Sequence, residues 1–94
     1  MIESFADEET KKIFTGRASR KLPATIQKTA RRKLLYLEDA DDLQDLRSPP
    51  GNRLELLHGD RAGQYSIRIN DQWRICFYWK AGKATQVKIE DYHD

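Results

Sequence analysis

Cysteine, histidine and long apolar runs are scarce in this sequence, and each scarcity excludes a class of protein. The single cysteine, Cys76, cannot form an internal disulfide, and it has no cysteine or histidine at the spacing of a zinc site. No apolar run approaches the ~20 residues of a membrane helix or resembles the core of a signal peptide. We therefore expect a cytoplasmic protein without a membrane association.

The chain is also short, which limits the core that it can build. Its 94 residues suit one domain, residues 1–94, and a domain of this size buries only about 60% of the surface of the unfolded chain. Charged residues make up 34% of the chain, but two Trp, four Tyr and three Phe supply apolar area that disordered chains lack. The composition predicts a folded domain with a thin core.

The charges are unevenly distributed along the chain. Residues 11–37 contain nine basic residues and no acidic one, whereas residues 1–10 and 38–45 contain four and five acidic residues and no basic one. Such a basic block suits a polyanion, either RNA or DNA, or an acidic protein partner. A solvated helix face is the structural alternative.

Helical signals occupy the first half of the chain. Acidic residues from Asp7 favour a short helix that Gly16 ends, and Pro23 suits the first turn of a second helix running to about Ala40. On the second helix, the core-facing residues are Ile26, Ala30, Leu34 and Leu37. Its opposite face is basic and consists of Lys28, Arg31 and Arg32, with Leu35 exposed beside them. The segment "DDLQDLRS" predicts one more helical turn, which "SPPGN" ends.

After Arg53 the apolar residues alternate, as they do in strands. The predicted strands are "LELLH", "QYSIRIN", "WRICFYWK" and "TQVKIEDY", and "MIESF" is a candidate edge strand. We therefore expect an α+β fold, in which the N-terminal helices pack on one face of a mainly antiparallel sheet of four to five strands.

Keeping the apolar residues of these strands on one face fixes the register. Pairing Ile69 with Trp73 leaves a loop at residues 70–72, with Asn or Asp at a left-handed position, and sets Arg68 opposite Arg74. A second hairpin, turning at residues 81–83, pairs Phe77 with Val87 and Ile75 with Ile89. It also sets Arg74 opposite Glu90. Arg74 is thus expected to point away from the helices and the core.

Two facing arginines repel one another unless an anion lies between them. The bound anion could be a phosphate, while a cross-strand ion pair of Arg74 with Glu90 is the structural alternative. The same face ends in "EDYH", which offers acid/base groups. Cys76 is expected to fill space rather than act as a nucleophile. A basic cleft without metal or cofactor suits RNA cleavage in which the 2′-hydroxyl of the RNA is the nucleophile.

Several ordered segments resemble one toxin family. "GDRAG", "SIRINDQWRICF" and the terminal "DYH" resemble the HigB branch of the RelE/ParE superfamily, and "LRSPPGNRLE" resembles its GraT-type members. The resemblance implies a RelE-like toxin of a type II toxin–antitoxin module that enters the A site of the 70S ribosome and cuts mRNA without metal. It also implies a helix-turn-helix antitoxin of the HigA type as partner.

Residue by residue, the resemblance makes Arg74 the phosphate-contacting arginine. Asp91, Tyr92 and His93 match the functional trio at the C-terminus of the family. We expect Arg74, helped by Arg68, to hold the scissile phosphate and Asp91 to orient its neighbours.

Three positions depart from the family pattern. Glu55 replaces a histidine, His58 replaces a lysine, and Asn70 stands where a further phosphate-binding arginine can occur. Two assignments therefore stay open: His93 or Glu55 takes the proton of the 2′-hydroxyl, and His58 or Tyr92 assists the leaving 5′-oxygen. The basic face of the second helix is expected to contact ribosomal RNA.

Two other functions share this fold or cleft. ParE-like relatives bind DNA gyrase without any RNA chemistry, and a cleft that has lost catalysis would leave a module that only binds RNA or the ribosome. The replacement of the histidine by Glu55 keeps the second alternative open.

Overall fold

The structure, a computed structural model, describes residues 1–92, in which helices cover one face of an antiparallel sheet. The helices are α1 (Glu8–Phe14) and α2 (Ala24–Asp39), and the strands are β1 (Glu55–Leu56), β2 (Gln64–Arg68), β3 (Trp73–Lys80) and β4 (Lys83–Asp91). The strands follow one another in the order β1-β2-β3-β4. The N-terminal segment adds parallel bridges from Ile2 and Phe5 to β4. The predicted α+β fold of four to five strands is confirmed.

Both helices lie where the sequence predicts them. The side chain of Asp7 caps α1 by accepting a hydrogen bond from Thr10 N at 2.9 Å, and Pro23 precedes the first turn of α2. The four predicted core residues of α2 are all buried. They pack with the inner face of the sheet, which includes Ile67, Ile75 and Phe77.

Two short 3₁₀ turns, at Leu43–Arg47 and Pro50–Asn52, connect α2 to β1, and a third at Gly59–Arg61 connects β1 to β2. The first is the helical turn predicted from "DDLQDLRS". The strand predicted from "LELLH" is shorter than expected, because only Glu55 and Leu56 pair with β2 before the chain turns at Gly59.

The β2–β3 hairpin has the predicted register, with Arg68 opposite Arg74. Its loop differs from the prediction, since the left-handed non-glycine residues within residues 1–92 are Arg53, Ala81 and Gln86, none of them in this loop. The side chain of Asn70 closes the loop instead, accepting hydrogen bonds from the N–H groups of Gln72 at 2.9 Å and Trp73 at 2.7 Å.

The β3–β4 hairpin corrects the predicted turn. Its loop is Ala81–Gly82, in which both residues have positive φ, and Lys80 pairs with Lys83. A bulge at Gln86, where φ is 51°, takes up the one-residue difference, so the expected pairing of Phe77 with Val87 falls within an irregular stretch. Beyond the bulge Arg74 lies opposite Glu90, as predicted.

Candidate active site

Arg74 points away from the helices, as the alternation predicts, but it is buried, with 8% of its surface exposed. Its Nε donates a hydrogen bond to Ser66 Oγ at 2.7 Å. Its Nη2 donates to the carbonyl of Arg53 at 2.7 Å and to that of Ser66 at 3.4 Å. Arg74 lies outside the apolar core, as expected, but it is not exposed, because the segment leading into β1 covers it.

The remaining nitrogen of Arg74 is the one available to a ligand. Nη1 makes no hydrogen bond to residues 1–92, and every buried side-chain nitrogen or oxygen in that part of the chain has a partner. Nη1 is therefore not fully enclosed, and it is the guanidinium nitrogen that remains to donate to a phosphoryl oxygen. The protein thus bonds Nε and Nη2 of the guanidinium group and leaves Nη1 without a hydrogen bond within residues 1–92.

The cross-strand ion pair of Arg74 with Glu90, which was the structural alternative to a bound anion, does not form. Glu90 bonds instead to the guanidinium of Arg61, which comes from the turn after β1, and this bond raises the pKa of Arg61. Glu55 is the carboxylate nearest to Arg74, with Oε2 3.9 Å from Nη2, and 54% of its side chain is exposed. Arg74 is thus held mainly by neutral acceptors, and its charge is only weakly compensated.

Arg68, directly opposite Arg74, has a different environment. It is partly exposed and forms an ion pair with Asp71, whose side chain is 97% exposed. The neighbouring carboxylate reduces the repulsion between the two facing arginines. Asn70 lies beside this pair, so the three form one polar rim.

These side chains line a cleft of about 190 Å³. The lining residues are Arg53, Glu55, Arg68, Asn70, Asp71, Arg74 and Tyr92. Five of the predicted site residues are therefore brought together, and three guanidinium groups face two carboxylates and one phenol. The cleft therefore brings positive charge and acid/base groups together in one small volume.

The other predicted residues lie elsewhere. His58 is exposed at the start of the Gly59–Arg61 turn and does not line the cleft, and Asp91 accepts a hydrogen bond from Gln72 Nε2 at 3.0 Å. The basic residues Lys28, Arg31 and Arg32 form a separate surface on α2 with Leu35. His93 falls outside the described residues, so its predicted role stays a prediction.

Sequence reasoning missed the residues that fix Arg74. Ser66 is completely buried and accepts a hydrogen bond from the guanidinium of Arg74, which the alternation along β2 does not by itself predict. Asn52 is also fully buried and binds the ammonium group of Lys33. The only signal for Ser66 is its position opposite Cys76, on the same face of the sheet as Arg74 and two residues away from it along β3. No local pattern marked Asn52 or Lys33.

Two further observations concern metals and membranes. Within residues 1–92, no three His, Cys, Asp or Glu side chains are grouped so that they could hold a metal ion. No helix in that part of the chain is long and apolar enough to cross a membrane.

An antiparallel sheet covered by two helices on one face, with an anchored arginine in a polar cleft on the other, is the arrangement expected of RelE-like toxins. The family described as "RelE-like toxin of type II toxin-antitoxin system HigB" matches residues 3–93. This chain belongs to that family. A type II toxin has an antitoxin as its partner, and the predicted family membership is confirmed.

Individual relatives agree with the family match. Toxin HigB-1 of Vibrio cholerae is 41% identical over 93 residues, which cover 98% of each chain. Endoribonuclease HigB of Proteus vulgaris is 31% identical over 93 residues, covering 99% of this chain and 100% of the relative. The similarity therefore extends over the cleft and both helices.

Proposed function

We propose that this protein is an endoribonuclease that cuts mRNA in the A site of the 70S ribosome and thereby inhibits translation. The observation that carries the proposal is the anchoring of Arg74, which lines the cleft, by Ser66 and Arg53, while Nη1 has no hydrogen-bond partner within residues 1–92. A fixed guanidinium stabilises the charge that develops on a phosphoryl group during cleavage. The name of the Proteus relative, an endoribonuclease, supports the proposal.

In the proposed reaction, the 2′-oxygen of the RNA attacks the adjacent phosphorus and the bond to the 5′-oxygen breaks. The products are a 2′,3′-cyclic phosphate and a 5′-hydroxyl, so one proton leaves the 2′-hydroxyl and one joins the 5′-oxygen. Nη1 of Arg74 and the guanidinium of Arg68 contact the non-bridging oxygens. The chemistry needs no metal or cofactor, only a base, an acid and fixed positive charge.

Glu55 is our preferred general base among the described residues. It lines the cleft, is half-exposed and lies 3.9 Å from Arg74, whereas Asp71, the other carboxylate of the cleft, is paired with Arg68. His93 remains the alternative base, since Tyr92 beside it in sequence lines the cleft.

Tyr92 is the preferred group for protonating the leaving 5′-oxygen, because its side chain lines the cleft and His58 does not. In this assignment Asp91 orients its neighbours through its bond with Gln72 at the end of the β2–β3 loop. His58 is then a candidate for contacting the RNA outside the cleft.

We propose two binding partners: ribosomal RNA, from the basic surface of α2, and an antitoxin, from the family. The exposed basic residues Lys28, Arg31 and Arg32 would contact phosphates of ribosomal RNA, so we expect ribosome affinity to fall as salt rises. The antitoxin partner is proposed to be a helix-turn-helix protein of the HigA type.

The proposed function is tested by primer extension on an mRNA translated with and without the protein. Arg74→Ala should lower the cleavage rate by roughly 100- to 1000-fold, as expected when a fixed donor to developing charge is lost. Arg47→Ala is the matched control, because Arg47 is exposed and, among residues 1–92, its side chain bonds to Gln44 alone. Circular dichroism and antitoxin binding report whether each variant is folded.

Cleavage by Arg74→Ala at the rate of the unchanged protein would contradict the assignment of this residue. DNA breaks after induction, without ribosome-dependent cuts in mRNA, would contradict the proposed function and indicate a gyrase-directed toxin. Ribosome binding without any cuts would indicate a module that only binds.

A further inference from the structure

A buried ammonium group on α2 is bonded to the chain segment that carries Arg53. Lys33, in α2, is 6% exposed, and its Nζ donates a hydrogen bond to Asn52 Oδ1 at 2.6 Å. Asn52 is completely buried, and its Nδ2 donates to the carbonyls of Leu46 at 3.1 Å and Ser48 at 3.3 Å. The side chain of Asn52 therefore joins the long helix to the end of the Leu43–Arg47 turn.

Asn52, which binds Lys33, is followed directly in the chain by Arg53, whose carbonyl holds Arg74. Asn52 is the last residue of the Pro50–Asn52 turn, and Arg53 follows it in the left-handed region, with φ at 44°. The carbonyl of Arg53 accepts the hydrogen bond from Arg74 Nη2. Because a single peptide unit separates the two bonds, a shift of Asn52 would move the acceptor of Arg74.

Burying the ammonium group of Lys33 costs desolvation free energy, which an apolar side chain at this position would not cost. Within residues 1–92 no carboxylate forms an ion pair with Lys33, and its charge is met by the amide oxygen of Asn52 and the ring of Tyr36, 5.5 Å away. Burial, together with the charges of Arg32 and Arg68, lowers the pKa of Lys33. A buried group held under such conditions needs a reason other than stability.

We propose that Lys33 and Asn52 are positioning residues for Arg74: together they fix the Arg53 carbonyl and so aim the guanidinium at the scissile phosphate. The inference rests on the proposed function of the cleft. Neither residue touches the RNA. Lys33 differs in this respect from Lys28, Arg31 and Arg32, the exposed basic residues on the same helix.

Lys33→Met tests the proposal, since it removes the charge and the donor but keeps an unbranched side chain. The rate of a single turnover, measured on ribosomes programmed with a defined mRNA, should fall by about 10- to 100-fold, the range expected when a reacting group is misplaced by ~1 Å. Affinity for the ribosome should change by less than about twofold, because the basic surface is intact. An unchanged single-turnover rate would overturn the proposal.

Thr10→Val is the matched control for stability. Thr10 is fully buried in α1, and its hydroxyl accepts a hydrogen bond from Ile89 N at 2.9 Å, on the side of the sheet away from the cleft. Its loss should destabilise the fold as the loss of Lys33 does, by leaving a buried polar group unpaired. At a temperature where both variants are folded, only Lys33→Met should cut slowly. Equal losses of rate in the two variants would mean that the role of Lys33 is merely structural.

Two further measurements keep the test decisive. The double variant Lys33→Met with Asn52→Leu removes both members of the polar pair, so no amide oxygen is left without the ammonium group, although the carbonyls of Leu46 and Ser48 lose a donor. Where it folds, it should still cut slowly. A stable double variant that cuts like the unchanged protein would overturn the proposal, and it also serves if Lys33→Met alone fails to fold.

The second measurement needs no RNA. Hydrogen exchange of Arg74 Nε–H, followed by NMR, should be faster in Lys33→Met or the double variant than in Thr10→Val. If the unchanged protein cuts no RNA but this exchange accelerates, the proposed function fails and the positioning of Arg74 stands. If it cuts RNA and the exchange is unaltered, the positioning role fails alone.

Discussion

The two faces of the sheet reach similar burial by different means. On the helix side, Ile67, Ile75 and Phe77 are completely buried by apolar packing against α1 and α2. On the cleft side, Ser66 and Arg74 are buried beneath a short irregular segment and are held by hydrogen bonds. Apolar packing tolerates small shifts, whereas hydrogen bonds fix directions. The face that must aim a charged group is therefore built from directional contacts.

The comparison extends to the two facing arginines. Arg74 is fixed by neutral acceptors and keeps one nitrogen without a bond within residues 1–92. Arg68, on the neighbouring strand, is partly exposed and paired with Asp71, an exposed carboxylate of the β2–β3 loop. The first suits a role in which position matters. The second suits a role in which charge near the phosphate is sufficient.

Phe77→Ala should give the largest effect on the helix side. The ring is completely buried, so its truncation should lower the free energy of unfolding by about 3–5 kcal/mol. Urea denaturation measures this loss, and Phe77→Leu, the control, should cost less than about 1.5 kcal/mol. Cleavage per folded molecule should stay close to normal. A large loss of specific activity would show that the two faces are not independent.

Ser66→Ala should give a smaller loss of stability but a loss of function. The substitution leaves Nε of Arg74 without its side-chain acceptor, which should cost about 1–3 kcal/mol in unfolding free energy. The cleavage rate should fall by roughly tenfold because the guanidinium is no longer fixed.

Ser19→Ala provides the control for this change. Ser19 is also buried, and its hydroxyl donates to Glu9 Oε1 at 2.6 Å, next to α1 and away from the cleft. It should lose stability without losing cleavage. Equal cleavage by the two serine variants would contradict the view that Ser66 positions Arg74.

The sequence predicts the helix side of the sheet better than the cleft side. Alternation along β2 and β3 was enough to predict the register, the inner face and the facing of Arg68 and Arg74, because these depend on periods within single strands. The burial of Arg74 depends on where residues 46–55 pass over the sheet. That path is set by Asn52 and by Lys33, 19 positions earlier in the chain, and no local pattern encodes it.

The partner of Glu90 illustrates the same limit. The register correctly sets it opposite Arg74, but Arg61, 29 positions earlier in the chain, reaches it first from the Gly59–Arg61 turn. The predicted turn at residues 81–83 failed for a different reason, because a bulge at Gln86 can shift a register by one residue without leaving a clear mark in the sequence.

The smallest expected effect is a dependence of the free energy of unfolding on pH, which comes from the thiol of Cys76 on the cleft side of the sheet. Burial raises the pKa of its thiol to about 12, and the neighbouring carboxylate of Glu90 adds to the shift. A thiol in the unfolded chain has a pKa of about 8.5, so between these values the folded state keeps a proton that the unfolded state releases. The free energy of unfolding should therefore decline above pH ~8.5, by at most ~1.4 kcal/mol per pH unit.

Urea denaturation of the reduced protein at a series of pH values from about 8 to 10, compared with Cys76→Ala, isolates this decline. The comparison is needed because Lys33, whose pKa is lowered in the folded state, contributes a slope of opposite sign in the same alkaline range. The unchanged protein should lose stability relative to Cys76→Ala as pH rises. Parallel curves would mean that the thiol ionises as readily in the folded protein as in the unfolded chain, and that the cleft side beneath Arg61 and Glu90 is open to water.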